Sequence, residues 1–191
     1  MQALIDRIKQ EGKVFPGNII KVDSFINHQV DPELMLAMGK DFHAKYQDQA
    51  IEKILTIETS GIAVAVTTAL QFQVPMVFAK KSEAASMDKN QYQAKVYSYT
   101  RGKTFEIRVA KDYLKAGERV LIIDDFLANG EALSGLISLC EQAGAEVAGI
   151  GIAIEKTFQP GGEKIRQAGY PIYSQARIKA FEGDTILFEE N

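Results

Sequence analysis

The order of apolar and polar residues changes character along this chain. Residues 1–12 repeat apolar side chains at helical spacing and stop at a glycine, which predicts a short first helix. A second helix is predicted over 31–46, because its first residues, DPE, supply a capping aspartate, a proline at the first helical position and an early acid. The stretch GNIIKVDSFINHQ between these helices has no clean period.

From residue 53 onward, apolar stretches of strand length alternate with stretches of helical period. The predicted strands are 53–58, 75–80, 119–124, 147–155, 171–178 and 185–190, and the predicted helices are 63–72, 130–143 and 161–169. Strands that are almost continuously apolar and alternate with helices indicate a parallel sheet covered on both faces. The predicted fold is therefore α/β, with an open, mainly parallel central sheet and helices on both faces.

Residues 81–110 depart from that rhythm. Two loosely alternating runs, YQAKVYSYT and FEIRVA, are joined by RGK and preceded by the polar KKSEAASMDKNQ. We expect a β-hairpin with a polar approach, and a long polar excursion in a compact domain is usually functional or disordered. The sequence has no repeats or linker-like shifts in composition, so its 191 residues are expected to form a single domain.

Composition and charge argue against several classes of function. Apolar residues make up 46% and charged residues 25% of the chain, as in ordinary globular proteins, and the net charge of −3 argues against a general nucleic-acid binder. No apolar run reaches the roughly 18 residues of a membrane span, and the acid-containing start is unlike a signal peptide. Cys140, the single cysteine, is expected to be a buried thiol in a reducing compartment. We therefore expect a cytoplasmic protein that binds neither nucleic acid nor membrane.

Two adjacent acids, Asp124 and Asp125, follow the most apolar predicted strand. At an effective dielectric near 20, carboxylates roughly 5.5 Å apart repel each other by about 3 kcal/mol, so we expect the pair to serve a ligand. Ligands bind beyond the carboxyl ends of parallel strands, and here a short loop at 127–132 opens a helix whose first amides suit a phosphate. Acids that accept from hydroxyls, beside amides that donate to phosphate, predict a phosphorylated sugar as the ligand.

The stretch VLIIDDFLANG resembles the phosphoribosyl diphosphate (PRPP) motif of type I phosphoribosyltransferases, in which two acids separate an apolar strand from a small-residue loop containing Thr-Gly. Asn129 stands here for the usual threonine, and Ala132 for the next hydroxyl residue. Three further stretches, IIKVDSFINHQVDP, KILTIETSGIA and GIGIAIEKTFQPG, are similar to the bacterial xanthine branch of that family. The four stretches occur in the same order and are spread over most of the chain.

The resemblance implies a role for each matching position. Asp124 and Asp125 would be the catalytic acids, accepting hydrogen bonds from the ribose hydroxyls. The 5′-phosphate of PRPP would be held by Ala128, Asn129, Gly130, Glu131 and Ala132, the pyrophosphate by Thr59, Ser60, Gly61 and Lys81, and the xanthine base by Ile20, Asn27 and Lys156. Lys80 and Lys81 match basic residues that, in several relatives, steady the pyrophosphate across a dimer interface.

The implied reaction belongs to purine salvage, in which xanthine and PRPP give xanthosine 5′-monophosphate and pyrophosphate. The resemblance also implies Mg²⁺ bound with PRPP, a homodimer, an N-terminal hood of about residues 1–30 with the C-terminal strands, and a hairpin lid at about 81–110. Hypoxanthine-guanine enzymes of the family carry an aspartate where this chain has Ala128, which argues against that branch. Lys156 would favour the anion of xanthine, which is a stronger acid than the other natural oxopurines.

Other interpretations stay open. A PRPP-binding regulator without catalysis shares the fold, although this chain lacks an added DNA-binding domain or a basic surface. A phosphoribosyltransferase for another purine base would use the same motif. Without the resemblance, the acid pair also fits a solvated strand end, and Thr59-Ser60-Gly61 fits a helix-capping turn. A receiver domain is disfavoured, because receivers place their acid pair near the start of the chain and this pair lies at residue 124.

Overall fold

A computed structural model describes residues 1–82, 90–98 and 102–189. In this part of the chain, helices α1 to α5 span Gln2–Glu11, Pro32–Tyr46, Gly61–Phe72, Glu131–Ala143 and Gly161–Gln167. Strands β1 to β10 span Lys13–Phe15, Ile19–Lys21, Lys53–Ile57, Met76–Ser82, Gln91–Ser98, Lys103–Ala110, Arg119–Leu127, Glu146–Lys156, Ile172–Glu182 and Thr185–Phe188. A π turn covers Asp23–Asn27, and a 3₁₀ turn covers Gln47–Gln49. None of the described helices has the length and apolarity needed to cross a membrane.

Eight of the described strands form one sheet in the order β10-β9-β8-β7-β3-β4-β6-β5. The five strands from β9 to β4 in that order run parallel, and β10, β6 and β5 add antiparallel strands at the two edges. Near the start of the β7–β8 ladder, β8 carries one extra residue, Ala148, between the partners of Val120 and Leu121. The topology confirms the predicted α/β fold and gathers the carboxyl ends of β3, β4, β7 and β8 at one edge.

Strand β7 shows why the central strands are almost continuously apolar in sequence. Leu121 and Ile123 pack in the apolar cluster that contains side chains of α1, α2 and α3. Val120 and Ile122 pack in a second cluster with α4, where Cys140 is buried as predicted and burial raises its pKa to about 12. Because both faces of the strand are covered, the alternation typical of a one-sided strand disappears.

Helix α2 begins at the residue that the sequence predicts. Asp31 Oδ1 accepts hydrogen bonds from the backbone N–H groups of Glu33 at 3.0 Å and Leu34 at 3.1 Å, and Pro32 is the first helical residue. The hydrogen bond from Leu34 is the main reason why the pKa of the Asp31 carboxyl lies below its ordinary value. The cap therefore satisfies two of the four amides that a helix start leaves without partners.

The predicted hairpin in the middle of the chain is confirmed as β5 and β6, which pair along their whole length. Its strands belong to the main sheet, because β6 pairs with β4, and Val96, Ile107 and Val109 are buried in the cluster that contains α4. Residues 83–89 and 99–101, which fall within the predicted approach and tip, lie outside the described residues. A second hairpin, formed by β1 and β2, occupies part of the stretch in which the sequence has no clean period.

A buried ionic cluster joins β8 to α5 and β9. The Glu155 side chain is 1% exposed, and its carboxylate accepts hydrogen bonds from Arg166 at 2.7 and 2.8 Å and from the Ser174 hydroxyl at 2.5 Å. The guanidinium of Arg177 lies 3.7 Å from the same carboxylate. Burial alone would raise the pKa of Glu155, but these donors and positive charges hold it below its ordinary value. The ionised carboxylate therefore fixes α5 against the sheet.

We predict that Glu155→Gln lowers the free energy of unfolding by about 1–3 kcal/mol at pH 7, because it removes the charge that accepts from Arg166 and faces Arg177, whose side chains are 33% and 36% exposed. The folded-state pKa of Glu155 is depressed, so its contribution is present above the unfolded value of about 4.3 and is lost as pH falls through the folded pKa. Urea unfolding should therefore give a difference between variant and wild type that is present at pH 7 and shrinks as the pH is lowered through the acidic range.

The exposed Glu182, also on β9, offers a matched control, since Glu182→Gln should change stability by less than about 0.5 kcal/mol. An effect of Glu155→Gln as small as that of the control at pH 7 would contradict the proposed contribution of the buried cluster.

Candidate active site

The two adjacent acids are both buried in the second half of β7. Asp124 is 4% exposed and Asp125 is 8% exposed. The predicted strand end at Asp124 is wrong by three residues, because Phe126 and Leu127 continue the parallel ladder with β8 and β7 ends only at Leu127. The pair therefore lies inside the sheet edge rather than in the solvated turn that the alternative interpretation requires.

Burial makes ionisation of this pair costly. Desolvation is the main cause that raises the pKa of Asp124 well above its ordinary value, and the negative charge of Asp125 adds to it. The backbone N–H of Asp125 donates a 3.0 Å hydrogen bond to Asp124 Oδ1, and the positive charge of Lys81 also acts in the opposite direction, but neither offsets the burial. A ligand that brings hydrogen-bond donors or positive charge would favour the ionised pair.

The turn before α3 lies beside the end of β4. Glu58 Oε1 accepts a 2.6 Å hydrogen bond from the backbone N–H of Lys81, and the backbone N–H of Glu58 donates to Ala79 at 3.1 Å. Ser60 immediately precedes α3, but its side chain does not cap the helix. The structure thus brings the predicted pyrophosphate residues Thr59, Ser60, Gly61 and Lys81 together, and it places them next to the acid pair.

Gly61 marks a close approach of α3 to β3 and β7. A Cβ atom at this position would overlap the hydroxyl of Thr56 and lie 3.1 Å from Asp124 Oδ1. Thr56 is fully buried, and its Oγ1 has no hydrogen-bond partner within the described residues. Sequence reasoning missed Thr56, because a threonine in KILTI signals strand propensity and nothing more.

The loop after β7 turns sharply into α4. Gly130 has a φ of +82°, a conformation that side chains rarely adopt, and it precedes the helix without a side-chain cap. Ala128 and Asn129 form the loop, while Glu131 and Ala132 lie in the first turn of α4. The first-turn amides of α4 therefore point out of the helix start without a capping side chain, as an anion site requires.

Gly161, the first residue of α5, packs against the backbone of this loop. The backbone N–H of Gly161 donates a 3.0 Å hydrogen bond to the carbonyl oxygen of Ala128. A Cβ atom on Gly161 would lie 2.5 Å from the nitrogen of Gly130 and 2.6 Å from the carbonyl carbon of Asn129. Sequence reasoning assigned Gly161 only to a helix start, although the Gly161-Gly162 pair after a proline was a usable signal of close backbone packing.

The three residues matched to base binding lie in different environments. Lys156, at the end of β8, donates a 2.8 Å hydrogen bond from Nζ to the carbonyl oxygen of Asn18, and burial lowers its pKa. Ile20 is buried in the apolar cluster with α1, next to Gly12. Asn27 is exposed at the end of the π turn. The structure therefore brings Lys156 to the β1–β2 hairpin, and the side chain of Ile20 lies in the core.

Comparison with known proteins places these features in a family. The family described as phosphoribosyl transferase domain matches residues 36–169. The xanthine phosphoribosyltransferase of Finegoldia magna is 51% identical over 190 residues, which cover 100% of both chains. The xanthine phosphoribosyltransferase of Bifidobacterium animalis subsp. lactis is 53% identical, covering 99% of this chain and 98% of that one.

Solved structures give the same assignment of fold. The adenine phosphoribosyltransferase of Giardia lamblia, in complex with 9-deazaadenine, has a TM-score of 0.78 at 26% identity and covers 93% of this chain and 98% of its own. The adenine phosphoribosyltransferase of Rhodothermus marinus has a TM-score of 0.75 at 24% identity, covering 93% and 100%. The sequence resemblance and the predicted fold are confirmed, and this chain belongs to the phosphoribosyltransferase family.

Proposed function

We propose that this chain catalyses the transfer of the phosphoribosyl group of PRPP to xanthine, which gives xanthosine 5′-monophosphate and pyrophosphate in purine salvage. The observation that carries the proposal is the buried pair Asp124 and Asp125 beside a loop that is braced by backbone contacts. Full-length relatives that bear the name xanthine phosphoribosyltransferase support the choice of base.

Each part of PRPP has a suitable partner in this arrangement. Asp124 and Asp125 would accept hydrogen bonds from the ribose hydroxyls, which compensates for the loss of solvent around the two acids. The amides of residues 128–132 would donate to the 5′-phosphate, and the Asn129 side chain could add a donor where relatives have a threonine. The turn at 59–61 and Lys81 would bind the pyrophosphate.

The reaction breaks the bond between C1 of the ribose and the pyrophosphate oxygen, and the electron pair leaves with the pyrophosphate. A ring nitrogen of the base forms the new bond to C1. The proton that neutral xanthine carries passes to solvent, and xanthine that binds as its anion has released that proton beforehand. Positive charge builds on the ribose near the acid pair, and negative charge builds on the leaving group near Lys81. The protein therefore favours the transition state by holding opposite charges close to the two developing ones.

Mg²⁺ fits this set of donors. No cluster of three or more His, Cys, Asp or Glu side chains that could hold a metal ion occurs within residues 1–82, 90–98 and 102–189. Mg²⁺ commonly binds through phosphate oxygens and water with few protein ligands, so the pyrophosphate and the ribose hydroxyls would hold it, while the acid pair near the end of β7 would hold those hydroxyls. The ion would supply positive charge that neutralises the leaving pyrophosphate.

Base selection would depend on Lys156. Ala128 stands where hypoxanthine-guanine enzymes have an aspartate that is thought to assist proton removal, so this position offers no side-chain base. An ammonium group at the base site favours the anion of xanthine, which has already released a proton and therefore attacks C1 with less need for a general base.

We further infer a homodimer in the cytoplasm, an N-terminal hood of about residues 1–30 with the C-terminal strands, and a lid within about 81–110 that excludes water during transfer. One observation supports the hood, because Lys156 bonds directly to the N-terminal hairpin. The lid would exclude water from the transfer.

A direct assay tests the proposed function. The purified protein, incubated with PRPP, Mg²⁺ and one base at a time, should form nucleotide from xanthine with a kcat/KM at least about tenfold higher than from hypoxanthine, guanine or adenine. Chromatographic detection of the nucleotide and of pyrophosphate gives the rate. Binding of PRPP without turnover of any base would favour a regulator, and preference for adenine or hypoxanthine would refute the choice of substrate.

Replacing Asp124 by Asn should separate stability from activity. The folded-state pKa of Asp124 is raised, so its ionisation destabilises the folded protein, and the cost grows as pH rises through that pKa. We expect the melting temperature of Asp124→Asn without ligand to exceed that of wild type at pH 8 and to match it below about pH 3.9. The same change should lower kcat/KM for PRPP by about ten- to a hundredfold.

The exposed Asp184 provides the control, because Asp184→Asn should leave both the melting temperature and kcat/KM unchanged. A less stable Asp124→Asn variant with normal PRPP kinetics would sink the assignment of the acid pair to the sugar.

Gly161→Ala should raise the KM for PRPP about tenfold, because its Cβ displaces a loop whose amides must meet the phosphate within tenths of an ångström. Gly149→Ala is a matched control, since its Cβ would lie 2.9 Å from Cδ1 of Tyr46, far along β8 from the loop. Both variants should melt below wild type, but Gly149→Ala should keep its KM. An unchanged KM for Gly161→Ala would refute the proposal that Gly161 holds the phosphate loop in position.

A further inference from the structure

Lys156 is tethered to a part of the chain that lies 138 positions away. Its Nζ donates a 2.8 Å hydrogen bond to the backbone carbonyl oxygen of Asn18, and it lies 6.0 Å from the centre of the Phe126 ring. No carboxylate of the described residues forms a salt bridge with this ammonium group. An ammonium group has three donors, so two stay available for a ligand.

Asn18 reaches Lys156 because of its backbone conformation. The connection Pro16-Gly17-Asn18 joins the cross-strand pair Phe15 and Ile19, and Asn18 has a φ of +60°. Asparagine is one of the few residues other than glycine that adopt this left-handed region readily. Because the acceptor is the backbone oxygen, the conformation at residue 18 decides where it points.

The hairpin that carries Asn18 has three cross-strand pairs and contacts the core through its middle pair only. Ile20 is buried in the apolar cluster and Val14 packs against it, but Phe15 and Ile19 near the tip are 40% and 44% exposed. A two-stranded hairpin is marginally stable on its own. The position of the tip therefore depends on the turn conformation and on the bond to Lys156.

We propose that Asn18 is a positioning residue for base selection: its carbonyl oxygen occupies one donor of Lys156 and thereby directs the other two toward the base. The inference rests on the proposed transfer to xanthine. Xanthine has an additional ring carbonyl compared with hypoxanthine and ionises more readily, so it gains more from a correctly aimed ammonium group. The tether therefore acts on discrimination between bases and leaves PRPP binding unchanged.

The test compares two substitutions at one position. Asn18→Val disfavours the left-handed conformation and moves the carbonyl, whereas Asn18→Gly retains that conformation without cost. We expect Asn18→Val to lower the ratio of kcat/KM for xanthine to kcat/KM for hypoxanthine about tenfold, with the KM for PRPP within about twofold of wild type. Asn18→Gly should keep the ratio within about twofold. If Asn18→Val is poorly folded, Asn18→Ala should shift the ratio in the same direction.

A double-mutant cycle shows whether Asn18 acts through Lys156. In a Lys156→Met background, Asn18→Val should leave the ratio unchanged, because the group that it positions is gone. Independent, additive effects would overturn the inference, and so would a variant that melts earlier with an unaltered ratio. A wild-type protein that does not use xanthine would overturn the proposed function and the inference with it, whereas normal wild-type activity with an unaltered Asn18→Val ratio would overturn the inference alone.

Discussion

Two like charges buried side by side at the end of β7 are the constraint on which the rest of the site depends. Asp124 and Asp125 lie where desolvation and mutual repulsion both oppose ionisation. The surrounding structure offers only partial compensation, through the backbone N–H of Asp125 and the charge of Lys81. The buried pair therefore lowers the stability of the folded protein. The hydroxyl groups of a bound ribose would donate the hydrogen bonds that the two carboxylates lack.

The neighbouring loop shows how backbone atoms can take over from side chains. Members of the family commonly have hydroxyl residues where this chain has Asn129 and Ala132. Here the loop carbonyl of Ala128 is held by the amide of Gly161, and α5, which carries that amide, is fixed to the sheet by the Glu155 cluster. Under the proposed function the phosphate donors would be main-chain amides whose positions are set by this support, so fewer side-chain hydroxyls would be required.

The helices and strands that could be predicted from sequence are those whose signals lie in neighbouring residues of the chain. The strands β3, β7 and β8 are recognisable because both of their faces are buried, and α2 is recognisable because Asp31 and Pro32 form its start. The sequence did not predict the β1–β2 hairpin. Each of its strands has only three residues, which is too short for an alternation of apolar and polar side chains to be recognised.

The residues of the candidate site also fall into two groups, those that could be predicted from neighbouring sequence and those that could not. The acid pair and the loop that follows it are contiguous in sequence, so their chemistry could be predicted. Gly161 and the carbonyl of Asn18 contact neighbours that are distant along the chain, and no single sequence displays such contacts. Resemblance to a family supplied Lys156, but the partner that holds its ammonium group came from the fold.

The extra residue in β8 has a geometric consequence for the base site. Side chains alternate between the two faces of a strand, so an inserted residue would reverse the side on which all later residues emerge unless a bulge absorbs it. Ala148 is such an insertion relative to β7, and Lys156 lies downstream of it. The bulge absorbs this extra residue, so Lys156 emerges on the side where the N-terminal hairpin meets it. The same residues in a strand without the bulge would present the ammonium group to the opposite side of the sheet.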